Sequence, residues 1–464
     1  MKMKRGIALM GASLLTFCYS AFIVGLAEVN ADANSALLYH QGSYASGAII
    51  MNEDCPIEVA KEELLFDVQS FPANYEQNPD TLQSTMSAKY TFKNPTRNAY
   101  QMRLLFTFGK KPDYVMRNKS DIERHDVTLN DSAVITTMRY TYSGSETFEL
   151  EKDLGNLSDT IERDNFYKRE LPVFHYAVEI KTDLSKIKGK EIVCLYDCPE
   201  DGSSIRIISE DTCYYSSDNK LGFRVTQDDP VVHMYLLSHG DDNIENELKF
   251  YKDTSFEEQF ESIAYEVKTL EESTFGEKVH AGHAEYLPEA TEADFYNATV
   301  DMLNTIGSGI DAGHSFFPQE SDLLRWYDYH INFKPLETVI NEVTAPLYPL
   351  IDKRYEPHTY TYNYLFAHTA TWAKFSNLTV TVKTPNYISS VAEGFEFVHD
   401  AEAGTYTCSF RKLPQNDLKF TLCAEEEPEE LRHSLFGDFS NETIITFILV
   451  AVGLLIVAII IIFV

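Results

Sequence analysis

The sequence predicts a mainly β fold: one or two β-sandwich-like domains with a short helical insertion, plus a C-terminal transmembrane helix. Three observations carry that expectation. Segments of apolar–polar alternation recur along most of the chain, the pattern of strands with one buried face. The aromatic residues are 28 Tyr and 29 Phe against 2 Trp, and Tyr and Phe favour pleated, half-buried surfaces. The last 22 residues, Thr443–Val464, carry no charged side chain. As a helix they would span about 33 Å, against roughly 30 Å of hydrocarbon.

On this reading the 464 residues divide into six parts. Residues 1–33 are a signal peptide or N-terminal anchor, 34–252 an N-terminal β-rich ectodomain, and 253–320 a helical or linker insertion. A C-terminal β-rich ectodomain (321–424), an acidic juxtamembrane stalk (425–442) and the transmembrane helix (443–464) follow. The basic start Met1-Lys2-Met3-Lys4-Arg5 precedes an uncharged run, Gly6–Ala27, as an export signal requires. Ala31-Asp32-Ala33 supplies small residues for cleavage before Asn34, although the run is also long enough to remain as an anchor. Phe17 before Cys18 spoils a lipoprotein site, and Leu413-Pro414-Gln415-Asn416-Asp417 lacks the Thr of a wall-sorting signal. The acidic residues before Thr443 suit the outer side of a membrane, so the expected localisation is the cell membrane, single-pass, with the ectodomain outside.

The net charge of −32 repels phosphate backbones and argues against nucleic-acid partners. Its plainest role is to keep an exposed surface soluble.

Element by element, Ala88, Tyr90 and Phe92 alternate with polar neighbours up to Asn94-Pro95-Thr96-Arg97-Asn98, and Tyr100, Met102, Leu104, Phe106 and Phe108 resume the pattern. This reads as an antiparallel pair. Further strands are expected at Ala133–Tyr142, Val173–Lys181, Glu191–Tyr196, Ser204–Ser209, Leu221–Thr226 and Val231–Leu237. Ser255 and Glu258 make a capping box before Phe256, Phe260, Ile263, Val267 and Leu270 at helical spacing, and Thr291 with Asp294 opens a second helix toward Asn304. Tyr327, Tyr329, Ile331 and Phe333 alternate up to Lys334-Pro335-Leu336-Glu337, with Val339–Thr344 as the partner strand. A strand at Leu378–Val382 and a last hairpin, Thr405–Phe410 with Leu418–Cys423, complete the chain.

The strand ending in Asn94-Pro95-Thr96, the strand–Pro335-x-Glu337–strand unit, Trp372-x-x-Phe375-x-x-Leu378 and the terminal apolar segment together resemble uncharacterised membrane-anchored β-rich surface proteins of Gram-positive, Firmicutes-like bacteria. The resemblance implies a β ectodomain held at a membrane, and it supplies no catalytic residues.

Six cysteines lie beyond the leader: Cys55, Cys194, Cys198, Cys213, Cys408 and Cys423. An even number in an exported chain permits disulfides. Cys408 and Cys423, at mirror positions about the last turn, are the pair best placed for a cross-strand bridge; buried thiols are the other reading. Cys194-x3-Cys198 lacks the second pair a zinc site needs. His280-Ala-Gly-His283 with Glu285 sits in a segment read as a loop, and His-Glu-x-x-His, Gly-x-Ser-x-Gly and phosphate-loop motifs are absent from the sequence. Asp241, Asp242, Asn243 and Glu245 offer oxygen ligands for Ca²⁺ without the glycine that bends an EF-hand loop; no other cofactor is indicated. Both Trp326 and Trp372 fall in core-like patterns, so a Trp-lined sugar platform is not indicated. The expected function is therefore a noncatalytic extracellular module that senses, adheres or scaffolds at the envelope, meeting the membrane through its C-terminal helix and an unidentified envelope partner. The alternatives are an envelope hydrolase with carboxylate chemistry, or a subunit of a membrane complex.

Overall fold

The computed structural model describes residues 39–431 apart from 41–43, 52–54, 70–83, 113–125, 145–149, 162–165, 188–190, 198–204, 210–212, 218–219, 240–247, 254, 307–309, 313–314 and 367–371. The expected export segment and the apolar segment 443–464 lie outside the described residues. Among the described residues no helix is long and apolar enough to cross a membrane.

The fold is mainly β, as the alternation predicts. The principal strands of the first part are β1 (Glu58–Asp67), β2 (Ser84–Lys93), β3 (Tyr100–Gly109) and β4 (Thr137–Tyr142). The middle part carries α1 (Leu150–Gly155), β5 (Pro172–Ile180), β6 (Glu191–Asp197), β7 (Ile205–Ser209), β8 (Lys220–Thr226), β9 (Val231–Ser238), β10 (Tyr265–Thr274), α2 (Phe275–Tyr286) and α3 (Glu292–Ile306). The last part carries β11 (Leu323–Phe333), β12 (Thr338–Leu347), β13 (Thr359–Leu365), β14 (Leu378–Lys383), β15 (Thr405–Phe410) and β16 (Leu418–Cys423).

The first and last parts build one sandwich. One layer runs Val398–Asp400, β15, β14, β1, β2, β12, Asp126–Leu129, Ser132–Ala133. The facing layer has two sheets: Ala48–Ile50, β3, β11, β4; and Tyr39–His40, Leu350–Asp352, β13, β16, Tyr387–Val391. Tyr44–Ser46 pairs parallel with β13, and Ala48–Ile50 pairs antiparallel with β3, so one short stretch joins the two sheets. The expected division into separate β ectodomains at 34–252 and 321–424 therefore does not follow the sheets: β2 pairs with β12 from end to end, and β3 with β11 over Arg325–Phe333.

The strands stand where the alternation puts them, with Met86, Ala88, Tyr90 and Phe92 facing Met102, Leu104, Phe106 and Phe108 in one core. Their pairing differs from the expectation. The three predicted hairpins, β2–β3, β11–β12 and β15–β16, are all arches that cross from one layer to the other. Period-two alternation demands only that one face reach a core, and a hairpin and an arch satisfy it equally. Each connection contains a proline (Pro95, Pro335, Pro414), which has no N–H to give to a continuing ladder.

Two of the arches lie side by side, tied by Asn94, which is fully buried. Its side-chain amide donates to Asn98 O at 2.7 Å and to Lys334 O, 240 residues away in sequence, at 2.9 Å. Its Oδ1 accepts from Thr96 N at 3.0 Å and Thr96 Oγ1 at 2.9 Å. Asn94 N donates to Glu337 O, and Leu336 N to Thr96 O, both at 2.9 Å.

Tyrosine hydroxyls bridge the two layers, which gives the Tyr-rich composition its structural sense. Tyr329 donates to Asn341 Oδ1 at 2.8 Å, Tyr362 meets Ser84 Oγ at 3.2 Å, and Tyr364 donates to Glu62 Oε1 at 3.0 Å. A phenol carries a large apolar ring and still satisfies a polar group inside the core. Glu62 is itself fully buried, and its Oε2 has no hydrogen-bond partner among the described residues. Burial pushes its carboxyl up to about 7, against the opposing pull of the Tyr364 and Tyr90 hydroxyls.

The middle part is a second, smaller sandwich. One sheet runs β10, β5, β9, β7, Ile310–Ala312, and the other runs Cys213–Ser217, β8, β6, Leu248–Tyr251. Val178, Ile192, Phe223, Met234 and Leu236 fill the space between them. The helix expected from Ser255 to Leu270 is absent. That segment is a turn followed by β10, which pairs with β5 along its length. Ile263, Tyr265 and Val267 fit period two as well as a helix, and all three pack on the second core. Ser255 N and Oγ both donate to Asp253 Oδ1, so its hydroxyl closes a turn rather than capping a helix. The helix at Thr291 forms as expected, its first turn capped by Asp294 N donating to Thr291 Oγ1 at 3.0 Å. The segment read as a loop around His280 is α2, opened by a capping box in which Glu277 N donates to Thr274 Oγ1 at 3.3 Å and Thr274 N to Glu277 Oε2 at 2.9 Å. Gly282 lets α2 approach Phe317, whose ring a Cβ there would meet at 2.4 Å.

Two outcomes follow from these contacts. Asn94→Ala should cost about 1–2 kcal/mol, because Lys334 O, Asn98 O and Thr96 N lose the one buried side chain that pairs with all three. Asn94→Asp should be at least as damaging, since it keeps the acceptor but turns a carboxylate toward two carbonyls; denaturant midpoints measure both. Glu62 binds its proton more tightly folded than unfolded, so its own contribution to stability is full below pH 4.5, is lost as pH rises, and levels off above pH 7. The loss across that window is about 3 kcal/mol. Glu62→Gln should remove this part of the pH dependence in thermal melts; an unchanged slope would place the titration elsewhere.

Candidate functional site

Buried charge is concentrated where the middle part meets the first sandwich. Arg139 on β4 donates through Nε to Asp294 Oδ2 at 2.8 Å, through Nη1 to Asp159 Oδ1 at 2.8 Å and Asp328 Oδ2 at 3.1 Å, and through Nη2 to Ser158 O at 2.7 Å. Arg103 on β3 donates to Asp328 Oδ1 and to both Asp159 oxygens, each at 2.9 Å. Asp294 lies in the first turn of α3, where the helix dipole favours an anion. These groups satisfy one another, so the cluster fastens α3 to the sandwich. Removing Asp294 would leave Arg139 charged and buried without its most buried partner. Glu62 likewise sits in a closed core, where it meets no substrate.

Among the described residues, those singled out in the sequence do not assemble into a reactive centre. Asp241, Asp242, Asn243 and Glu245 lie outside the described residues, and among the described residues no group of His, Cys, Asp and Glu is arranged to hold a metal. His283 lies on α2, with Nε2 at 2.9 Å from Ala290 O, and the exposed His280 faces Glu292 at 3.9 Å. Cys408 and Cys423 are free thiols. Their strands belong to opposite layers: Cys408 faces the core, while Cys423 faces out toward the carbonyls of Pro357 and His358. The hairpin that would have brought them together is an arch. Burial pushes the Cys408 and Cys194 thiols up to about 12, so both are inert at neutral pH.

An open cleft of about 450 Å³ lies on the outer face of the sheet formed by Leu350–Asp352, β13, β16 and Tyr387–Val391. Tyr360, Tyr362 and Tyr364 point into the core, so period two turns Thr359 and Thr361 outward. On β16, Leu418, Phe420 and Leu422 point in, and Lys419 and Thr421 point out. Thr361 and Thr421 are cross-strand neighbours whose hydroxyls meet at 2.9 Å. Ser389 Oγ donates to Thr421 O at 3.3 Å, and Ser390 lies beside it. The result is a floor of hydroxyls.

Charge is arranged around that floor. Arg354 Nε donates to Asp352 Oδ1 at 2.9 Å, and Arg354 N donates to the same oxygen at 3.0 Å. Burial alone would raise the Asp352 carboxyl; the Arg354 hydrogen bonds and charge overcome it and hold the group below its ordinary value. Asp352 therefore stays ionised and fixes Arg354. Tyr355, Lys419, Glu426, Glu427 and Pro428 complete the rim.

The last three belong to the segment expected to be the start of a free acidic stalk. Instead it folds back: Glu429–Glu430 pairs antiparallel with Tyr355–Glu356, and Leu431 N donates to Arg354 O at 2.7 Å. None of these cleft residues belongs to a recognisable motif. The available signal was Thr359, Thr361 and Asn363 alternating with Tyr360, Tyr362 and Tyr364, which marks a strand whose outer face is small and polar.

No family model and no curated protein matches the chain. Among solved structures, a "putative nutrient binding protein" of Legionella pneumophila is similar over 83% of this chain and 72% of its own, at 11% identity and a TM-score of 0.36. A superposition that loose does not establish a common fold.

Proposed function

We propose that this chain is a noncatalytic envelope module, exported and held at a membrane by its C-terminal apolar segment, whose β-sandwich binds a small polar ligand in the cleft above β13 and β16. The observation that carries the reading is the floor of hydroxyls from Thr359, Thr361, Ser389, Ser390 and Thr421, bordered by Lys419, Arg354 and Tyr355. Hydroxyls donate and accept with little reorganisation. A rim with both signs of charge orients a polar molecule, and a tyrosine ring adds an apolar wall.

The carboxylates of the cleft do not favour hydrolysis. Asp352 is held ionised by Arg354 and so lacks a proton to donate, and Glu426 and Glu427 lie on the exposed rim.

The test has two arms. Fractionation and external protease treatment of intact cells should find the chain in the membrane and its sandwich accessible. Thermal melts of the purified chain against monosaccharides, amino acids and short peptides should give a melting shift of a few degrees for one class, since a ligand at about 100 times its Kd adds about 2.7 kcal/mol. Lys419→Ala and Thr421→Val should abolish that shift. A shift indifferent to both substitutions would place binding elsewhere, and a chain that stays in the soluble fraction would remove the envelope role.

A further inference from the structure

We propose that the acidic segment Ala424–Leu431 is a releasable strap, one wall of the cleft whose undocking opens the site and couples its occupancy to the position of the chain at Leu431. The inference rests on the cleft being the binding site and concerns its regulation.

Four observations support it. The strap contributes Glu426, Glu427 and Pro428 to the cleft, so its position sets the width of the site. Its backbone attachment among the described residues is slight, a two-residue antiparallel pairing and one further hydrogen bond, Leu431 N to Arg354 O at 2.7 Å. Segments held by so few contacts open at much lower cost than a core.

The attachment is also built against itself. In register, Glu429 lies opposite Glu356, and like charges directly opposite on paired strands are destabilising. Glu425, Glu426 and Glu427 add three more negative charges next to the pairing. The opposing attraction comes from Arg354, which feels the Glu430 charge while hydrogen-bonded to Asp352. A wall meant to be permanent gains nothing from an acidic pair in its ladder.

Finally, Arg354 is shared. It lines the cleft, and its carbonyl holds the strap. A ligand that shifts Arg354 therefore disturbs the strap, and tension on the strap disturbs Arg354. By linkage the two effects are equal in free energy.

The experiment uses the full-length chain carrying Ser389→Cys as a reporter on the cleft floor, alkylated with iodoacetamide and read by peptide mass spectrometry. Leu431→Pro deletes the N–H that donates to Arg354 O, and Leu431→Ala is its control. Glu429→Lys converts the repulsive pair with Glu356 into an attractive one. Glu429 and Leu431 are both exposed and outside the sandwich sheets, so the sandwich stays intact. Labelling of the reporter thiol should be roughly tenfold faster with Leu431→Pro, unchanged with Leu431→Ala, and roughly threefold slower with Glu429→Lys. Equal rates in all backgrounds would overturn the strap while leaving the cleft as the binding site. A reporter that stays unreactive even with Leu431→Pro would overturn both.

Discussion

The structure depends on pairing between strands that are far apart in the chain. β2 lies against β12 from Ser84 opposite Leu347 to Lys93 opposite Thr338, and β3 lies against β11 from Tyr100 opposite Phe333. Neither the first nor the last part can bury its apolar faces alone, because each supplies strands to the same two layers. The middle part is closed off as a long excursion between β4 and β11. Loop-closure entropy grows only slowly with length, and the excursion has its own core of Ile192, Phe223, Met234 and neighbours. The Arg139–Asp294 cluster then fixes it to the larger sandwich. Non-local pairing of this kind is slow to form, and Asn94 holds two of the arches in a single register.

The same interleaving explains where the cleft is. Because β13 and β16 come from the last part and lie near one end of the facing layer, the chain emerges from the sandwich beside their outer face. Alternation does the rest: tyrosines turned into the core leave threonines turned out. The chain leaving β16 crosses that face before it goes anywhere else. The acidic segment is therefore both the exit from the fold and a border of the site, and its repulsive contact with Glu356 makes the border weak.

Much of this was legible in the sequence, and the part that was not has a physical cause. Strand positions follow from alternation; the strands expected at Glu191–Tyr196, Leu221–Thr226 and Val231–Leu237 stand within a residue of those observed. Pairing was not legible, because a buried face carries no label for the sheet it belongs to, and β2–β3, β11–β12 and β15–β16 all read as hairpins. The cysteine bridge expected between Cys408 and Cys423 failed for that reason. Around Ile263–Val267 a helix and a strand share the same apolar residues, and pairing with β5 decides between them. The cleft was the least visible feature. Asp352 and Arg354 are two residues apart and ordinary in sequence, and become a site only when Thr361 and Thr421, from separate strands, come together.

The measurement that bears most directly on the interleaved sandwich is native-state hydrogen exchange under increasing denaturant. The amides of β2 and β3 and those of β11 and β12 should converge on one opening free energy, the first and last parts exchanging together as a single unit. Protection of Ser84–Gly109 that survives after Leu323–Leu347 has exchanged would mean that the first part folds by itself, and would contradict the account.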